Sequence, residues 1–165
     1  MISVNASLGR RALVAGFLVA LAANAPTPGT AQTNPFVGTW VLNVAKSKFT
    51  PGPAPKSQTV TYEVVGAGLR INATGIDAQG NPTSTQYTAN FDGKDYAVTG
   101  NAEWDAVVLK RVDANTIGFT RKKAGRVVQS GTNVVSKDGK TRTNTVDGTN
   151  AQGQTVHSVS VYDKK

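Results

Sequence analysis

The chain has 165 residues, with 18 Lys+Arg against 10 Asp+Glu, one histidine and no cysteine. That length holds one domain with a single core, and the lack of cysteine excludes a disulfide scaffold. The formal charge of +8 is scattered rather than run together, so a dedicated nucleic-acid surface is excluded too.

The chain opens with "MISVNASLGRR" and then "ALVAGFLVALAA", the charged n-region and short apolar h-region of an export signal. The run from Ala12 to Ala23 is too short and too rich in alanine to span a bilayer, and no second apolar stretch follows. Cleavage after Ala25 would place Pro26 first, which signal peptidase handles badly, whereas "GTA" ending at Ala31 leaves Gln32 free. The expected organisation is therefore a signal peptide over 1–31 and one domain over 32–165, exported to the periplasm or beyond. No lipobox cysteine offers an anchor, and no transmembrane segment is expected in the mature chain. Loss of Arg10 and Arg11 with the leader leaves 16 basic residues against 10 acidic ones, a formal charge of +6.

The first ordered stretch is "PFVGTWVLN", in which Phe36, Gly38, Trp40 and Leu42 share one face by the two-residue period of a strand. From there turn signals recur about every ten residues, at 66–68, 77–82, 92–93, 100–101, 113–115, 123–125, 137–140 and 148–153. The segments between them read as ten strands, 36–43, 58–65, 68–76, 83–91, 94–99, 104–112, 115–122, 126–136, 140–148 and 154–163. Apolar alternation is clear at Val60, Tyr62 and Val64; at Leu69, Ile71 and Ala73; at Thr85, Tyr87, Ala89 and Phe91; and at Ile117 and Phe119. One dry and one wet face is the mark of an antiparallel sheet curling on itself. Asp92-Gly93 and Asp138-Gly139 read as two-residue hairpin turns, where glycine supplies a positive φ. Pro51, Pro53 and Pro55 bar a helix from the long connection over 44–57, which reads as a covering loop. The fold class is all-β, an antiparallel up-and-down barrel of 8 to 10 strands.

Chemistry-bearing residues are sparse. His157 has no second histidine or cysteine with which to hold a metal, and no evident acid to orient it as a base. Glu63 and Glu103 are the sole glutamates, and Asp77, Asp92, Asp113 and Asp138 mark turns. No enzyme, metal site or cofactor is expected. Asn72-Ala-Thr74 matches a glycosylation sequon in the middle of a strand. Arg121, Lys122 and Lys123 are the one contiguous basic triplet; it reads either as a solvated hairpin tip or as a contact for an anionic glycan or surface.

"FVGTWVLN" at one end and "SVSVYDKK" at the other resemble the termini of the calycins, the superfamily of lipocalins and fatty-acid-binding proteins, whose chains open with Gly-x-Trp. "KDYAVTG" and "VSKDGK" are similar to exported bacterial lipocalin-like proteins without an established activity. The resemblance implies pairing of the first and last strands and a barrel with an interior, plugged by Gly38 and Trp40, with Gly38 admitting a second backbone. Fatty-acid-binding proteins hold the ligand carboxylate with an Arg-x-Tyr pair on the last strand; Tyr162 matches the tyrosine, but Ser160 stands at the arginine, so the charge partner is missing. Their portal helices have no counterpart in "VAKSKFTPGPAPKS". Beyond Trp40 there is only Trp104, which excludes the tryptophan-lined pocket of avidin-like barrels.

Two functions follow as expectations. In the first, a secreted non-catalytic binding protein takes a small hydrophobic or amphipathic, lipid-like ligand. Tyr62, Tyr87, Phe91, Tyr96, Phe119 and Tyr162 then face inward with Ser158 and Ser160 as polar contacts, unless the same side chains simply fill the barrel. In the second, an envelope or matrix protein binds polysaccharide or its own copies through an outer face rich in Thr, Ser and Asn. Its support is the thin apolar alternation over 126–148.

Overall fold

The computed structural model describes Met1 and residues 34–165. The chain falls into two units, Met1–Ala31 and Gln32–Lys165; the export-signal reading of 1–31 lies outside the described residues, as does the cleavage point after Ala31.

Ten strands follow in order, β1 (Gly38–Leu42), β2 (Ser57–Val65), β3 (Gly68–Ile76), β4 (Pro82–Asn90), β5 (Tyr96–Ala97), β6 (Ala106–Arg111), β7 (Thr116–Lys123), β8 (Arg126–Val135), β9 (Thr141–Thr149) and β10 (Thr155–Lys164). They form one antiparallel sheet ordered β4-β3-β2-β1-β10-β9-β8-β7-β6-β5. Each strand except β4 therefore pairs with the next in sequence, and β1 joins the last strand, with Trp40 opposite Lys164 and Leu42 opposite Tyr162. The two remaining edges, β4 and the segment after β5, meet through the paired backbone hydrogen bonds of Gln86 and Thr99 at 2.9 and 3.0 Å. The result is the nearly closed up-and-down barrel that the turn spacing implies. Closure satisfies backbone groups that an open sheet would leave bare.

Several local expectations need correcting. Asp92-Gly93 and Asp138-Gly139 do not make two-residue turns; each lies in a five-residue connection, 91–95 and 136–140. Their aspartates instead accept from the backbone N–H two residues on, Lys94 at 3.2 Å and Lys140 at 3.1 Å, the Asx geometry that competes with a tight hairpin. The two-residue turns are Gly66-Ala67, between paired Val65 and Gly68, and Ala124-Gly125, between paired Lys123 and Arg126. Val64 is exposed at the end of its strand rather than inward. The 44–57 connection is more than a cover. After one 3₁₀ turn at Val44–Lys46 it returns to β10, where Lys48 pairs with Val159 and the Thr50 carbonyl accepts from the His157 N–H at 2.8 Å.

Ala124 sits at φ +48°, beside Gly125 at +77°. This is the primed turn that suits the twist of a hairpin but penalises a Cβ. Ala124→Asn is expected to stabilise the protein by about 0.5–1 kcal/mol, part of the roughly 1–2 kcal/mol that the left-handed region costs an ordinary side chain and that Asn tolerates, read as a higher midpoint in denaturant with an unchanged slope; a loss of stability would show that the turn is not strained.

The core occupies one end of the barrel. Phe36, Trp40, Leu69, Val107 and Val135 are fully buried there, joined by Leu109 and Ile117. The Trp40 indole N–H donates to the Phe36 carbonyl at 2.8 Å, and the Lys164 ammonium lies 5.0 Å from its ring centroid. The neighbour of Gly38 is not a second backbone: a Cβ there would meet Cε of Lys164 at 3.1 Å. What demands glycine is φ +122°, a region in which side chains are strained. Gly100 is a different case, because a Cβ would fall 2.4 Å from the Ser84 carbonyl oxygen; its bareness lets the two edges meet.

Candidate functional site

The other end of the barrel is hollow. A cavity of about 260 Å³ opens above Tyr62 and Ile71, shares the core residues Val60, Trp104, Val146 and Tyr162 as part of its wall, and runs to a rim that includes Asn101 and Glu103. The barrel is neither wholly filled by its own side chains nor wholly open; Trp40 belongs to the filled end.

The cavity has two unlike walls. Along β2, β3 and β4 the inward positions are Gln58, Val60, Tyr62, Ile71, Ala73, Thr85 and Tyr87, a wall mainly of apolar and aromatic groups with Phe49 and Trp104 beside it. Along β7 to β10 they are Arg121, Gln129, Asn133, Arg142, Asn144, Ser158, Ser160 and Tyr162, relieved only by Val146 and Val156. The ladder explains why these side chains share one space. Tyr162 pairs with Arg142 and Ser160 with Asn144, Asn144 pairs with Asn133, and Arg121 pairs with Gln129. A bulge follows at once, between Arg121 and Lys122, of the kind that re-aims side chains beside sites.

Arg142 is the centre of the polar wall. It is 2% exposed, and its Nη1 donates to the Tyr62 hydroxyl at 3.0 Å and to the Asn133 amide oxygen. Its guanidinium lies 3.9 Å from the Tyr162 ring centroid. Nε and Nη2 are buried without a hydrogen-bond partner, as is Oδ1 of Asn144. No carboxylate is paired with this arginine among the described salt bridges. Arg121, half-buried, lies 4.5 Å from the Trp104 ring and 4.6 Å from that of Phe119. It donates to Gln129 Oε1 at 2.8 Å, and Gln129 Nε2 reaches on to Glu103 at 3.5 Å. Burial lowers the Arg121 pKa, opposed by the nearby tyrosines.

Burial raises the pKa of Tyr62, with Arg142 opposing it, and burial raises that of Tyr87 as well. Both folded-state values lie above the unfolded value near 10, so the folded state holds its phenolic protons longer than the unfolded chain. Their stabilising effect is complete below that pH and is lost as pH climbs past it. Denaturation midpoints are expected to be flat from neutral pH to about 9.5 and to fall above it, less steeply in Tyr87→Phe; an equal slope in the variant would remove Tyr87 from the account.

Of the eight side chains expected to face a ligand, the structure gathers five around the cavity, Tyr62, Tyr87, Ser158, Ser160 and Tyr162. The other three lie elsewhere. Phe91 packs under Arg111, whose guanidinium is 4.2 Å from its ring centroid. The Tyr96 hydroxyl donates to Asp92 at 2.9 Å, and Phe119 is 6% exposed under Arg121. Tyr162 does have a cation beside it, Arg142 of the neighbouring strand, its ladder partner. The basic triplet is not one surface patch: Arg121 faces the cavity, Lys122 pairs with Asp95 at 2.8 Å and Lys123 with Asp105 at 3.9 Å. His157 does have an acid, since its Nδ1 lies 2.6 Å from Asp147 Oδ1 across the β9–β10 ladder, with both side chains exposed. Arg142, Asn144, Gln129 and Asn133 escaped the sequence reading. Reading Tyr162 and Ser160 across the ladder leads to Arg142 and Asn144, and one strand further to Asn133, while Arg121 leads across to Gln129.

Neither a protein-family model nor any curated protein matches this chain. Among solved structures, the chain is similar to zebrafish ileal bile acid-binding protein complexed with cholic acid. The identity is 12% and the TM-score 0.48, over 79% of this chain and 99% of that one.

Proposed function

We propose that this protein is an exported, non-catalytic binding barrel whose cavity takes a small amphipathic anion, the charged group against β7–β10 and the apolar part against β2–β4. One observation carries the reading: the guanidinium of Arg142 is buried with two nitrogens unpartnered and no carboxylate beside it. A cation so placed is costly unless something arrives to pair with it, and a carboxylate accepts from such a fork in two parallel hydrogen bonds. The polar side chains of β8 and β9 face this interior, so the thin apolar alternation over 126–148 supports a wet cavity wall and not an outer surface for polysaccharide. Export rests on the leader sequence at 1–31.

Calorimetric titration with octanoate and with octanol tests the reading, because the two share a tail and differ in the charged head. Octanoate is expected to bind at least tenfold more tightly, with a change in tryptophan fluorescence from Trp104 in the cavity wall. Equal affinities, or no binding by either, would overturn it.

A further inference from the structure

The same cavity carries a statement about what kind of anion fits, and this rests on the reading just given. Its volume of about 260 Å³ lies below the roughly 300–1,000 Å³ of ordinary ligand pockets, which suits a carboxylate on a single six-membered ring. The tail of a long-chain fatty acid would have to leave past Asn101 and Glu103, polar groups that an alkyl tail would strip of water.

The walls suit a flat ring. Tyr87 and Trp104 meet edge to face at 5.9 Å between centroids, and Tyr62 and Tyr162 complete an aromatic surround against which a ring gains more than an alkyl chain of equal area. The two ends of the cavity also differ in sign. Arg142 lies at the inner end, held by Asn133 and Tyr62. At the rim Glu103 is exposed and accepts from Gln129. Gln129 itself is 4% exposed, so its amide is fixed and Glu103 has lone pairs to spare.

We propose that the occupant is a small hydroxylated aromatic acid, its carboxylate paired with Arg142 at the inner end and its ring hydroxyl donating to Glu103 at the rim. Glu103 is then the specificity-determining residue, one that rejects plain aliphatic acids by leaving them without a group to meet it.

The test titrates the full-length mature chain with 4-hydroxyphenylacetate, phenylacetate, octanoate and palmitate, in the wild type and in Glu103→Gln. In the wild type, 4-hydroxyphenylacetate is expected to bind at least tenfold more tightly than phenylacetate and octanoate, with palmitate no tighter than octanoate. In Glu103→Gln the advantage of the hydroxyl is expected to shrink at least fivefold, while phenylacetate, relieved of a negative charge at the rim, binds no more weakly than to the wild type. Affinity that rises with chain length from octanoate to palmitate would overturn this inference and leave the anion-binding reading standing. So would an advantage for the hydroxyl that survives in Glu103→Gln. Failure of every acid to bind would bring down both.

Discussion

Replacing Arg142 with methionine is expected to give a barrel that is more stable than the wild type and no longer retains an organic acid. The guanidinium is buried against Tyr62, Asn133 and the Tyr162 ring, yet Nε and Nη2 donate to nothing. A buried polar group left unsatisfied costs about 1–3 kcal/mol, and exchanging buried charge for a well-packed apolar side chain is often neutral or favourable by about 1–4 kcal/mol. Methionine fills much of the same space and adapts to irregular surroundings. Tyr62 and Asn133 would lose a donor but still line the cavity. A net gain of about 1–3 kcal/mol in chemical denaturation is therefore expected, with octanoate affinity falling about a hundredfold, equivalent to about 2.7 kcal/mol. If the variant instead loses stability, the arginine serves the fold through Tyr62 and Asn133, and the case for a binding role fails.

The opposite outcome is expected for Trp40→Ala. The indole is wholly buried, bonded to the Phe36 carbonyl and covered by Lys164, on the strand that joins the end of the chain to its beginning. Truncating a buried tryptophan removes its transfer free energy and leaves a void that the surroundings fill only in part, about 3–5 kcal/mol in all. For a domain of this size the melting temperature would fall by about 10–20 °C. Trp40→Phe keeps much of the packing and loses the indole N–H, so its effect should be less than half as large. A loss below about 1 kcal/mol for the alanine variant would mean that the filled end is not what holds the two terminal strands together. The two variants thus separate the halves of the barrel, one concerned with stability and the other with binding.

Much of this division was legible in the sequence, and the part that was not has a physical reason. Evenly spaced turns and a period of two place all ten strands, because backbone closure and one dry face leave few alternatives. Trp40 and Tyr162 stand out as large aromatics at the two ends of the chain. The polar wall was misread because pattern reasoning equates polar strand positions with bulk solvent. In a hollow barrel the interior is itself wet, and Gln129, Asn133, Arg142 and Asn144 alternate toward it as regularly as Val60, Tyr62, Leu69 and Ile71 do elsewhere. The turns at Asp92 and Asp138 were misjudged for a smaller reason. Aspartate before glycine serves a tight hairpin and an Asx loop equally well, and the pairing of the strands on either side decides between them.

The meeting of β4 with the segment after β5 bears on how this molecule behaves in a crowd. An unfinished ladder invites another chain to complete it, and that is how folded proteins begin to polymerise. Here the two unfinished sides face one another and are clasped at Gln86 and Thr99, with Asn101 bonded to Thr85 at 3.1 Å close by. The clasp is narrow, and Gly100, where Ser84 leaves no room for a side chain, is what allows these two sides to close on each other and leave no ladder to extend.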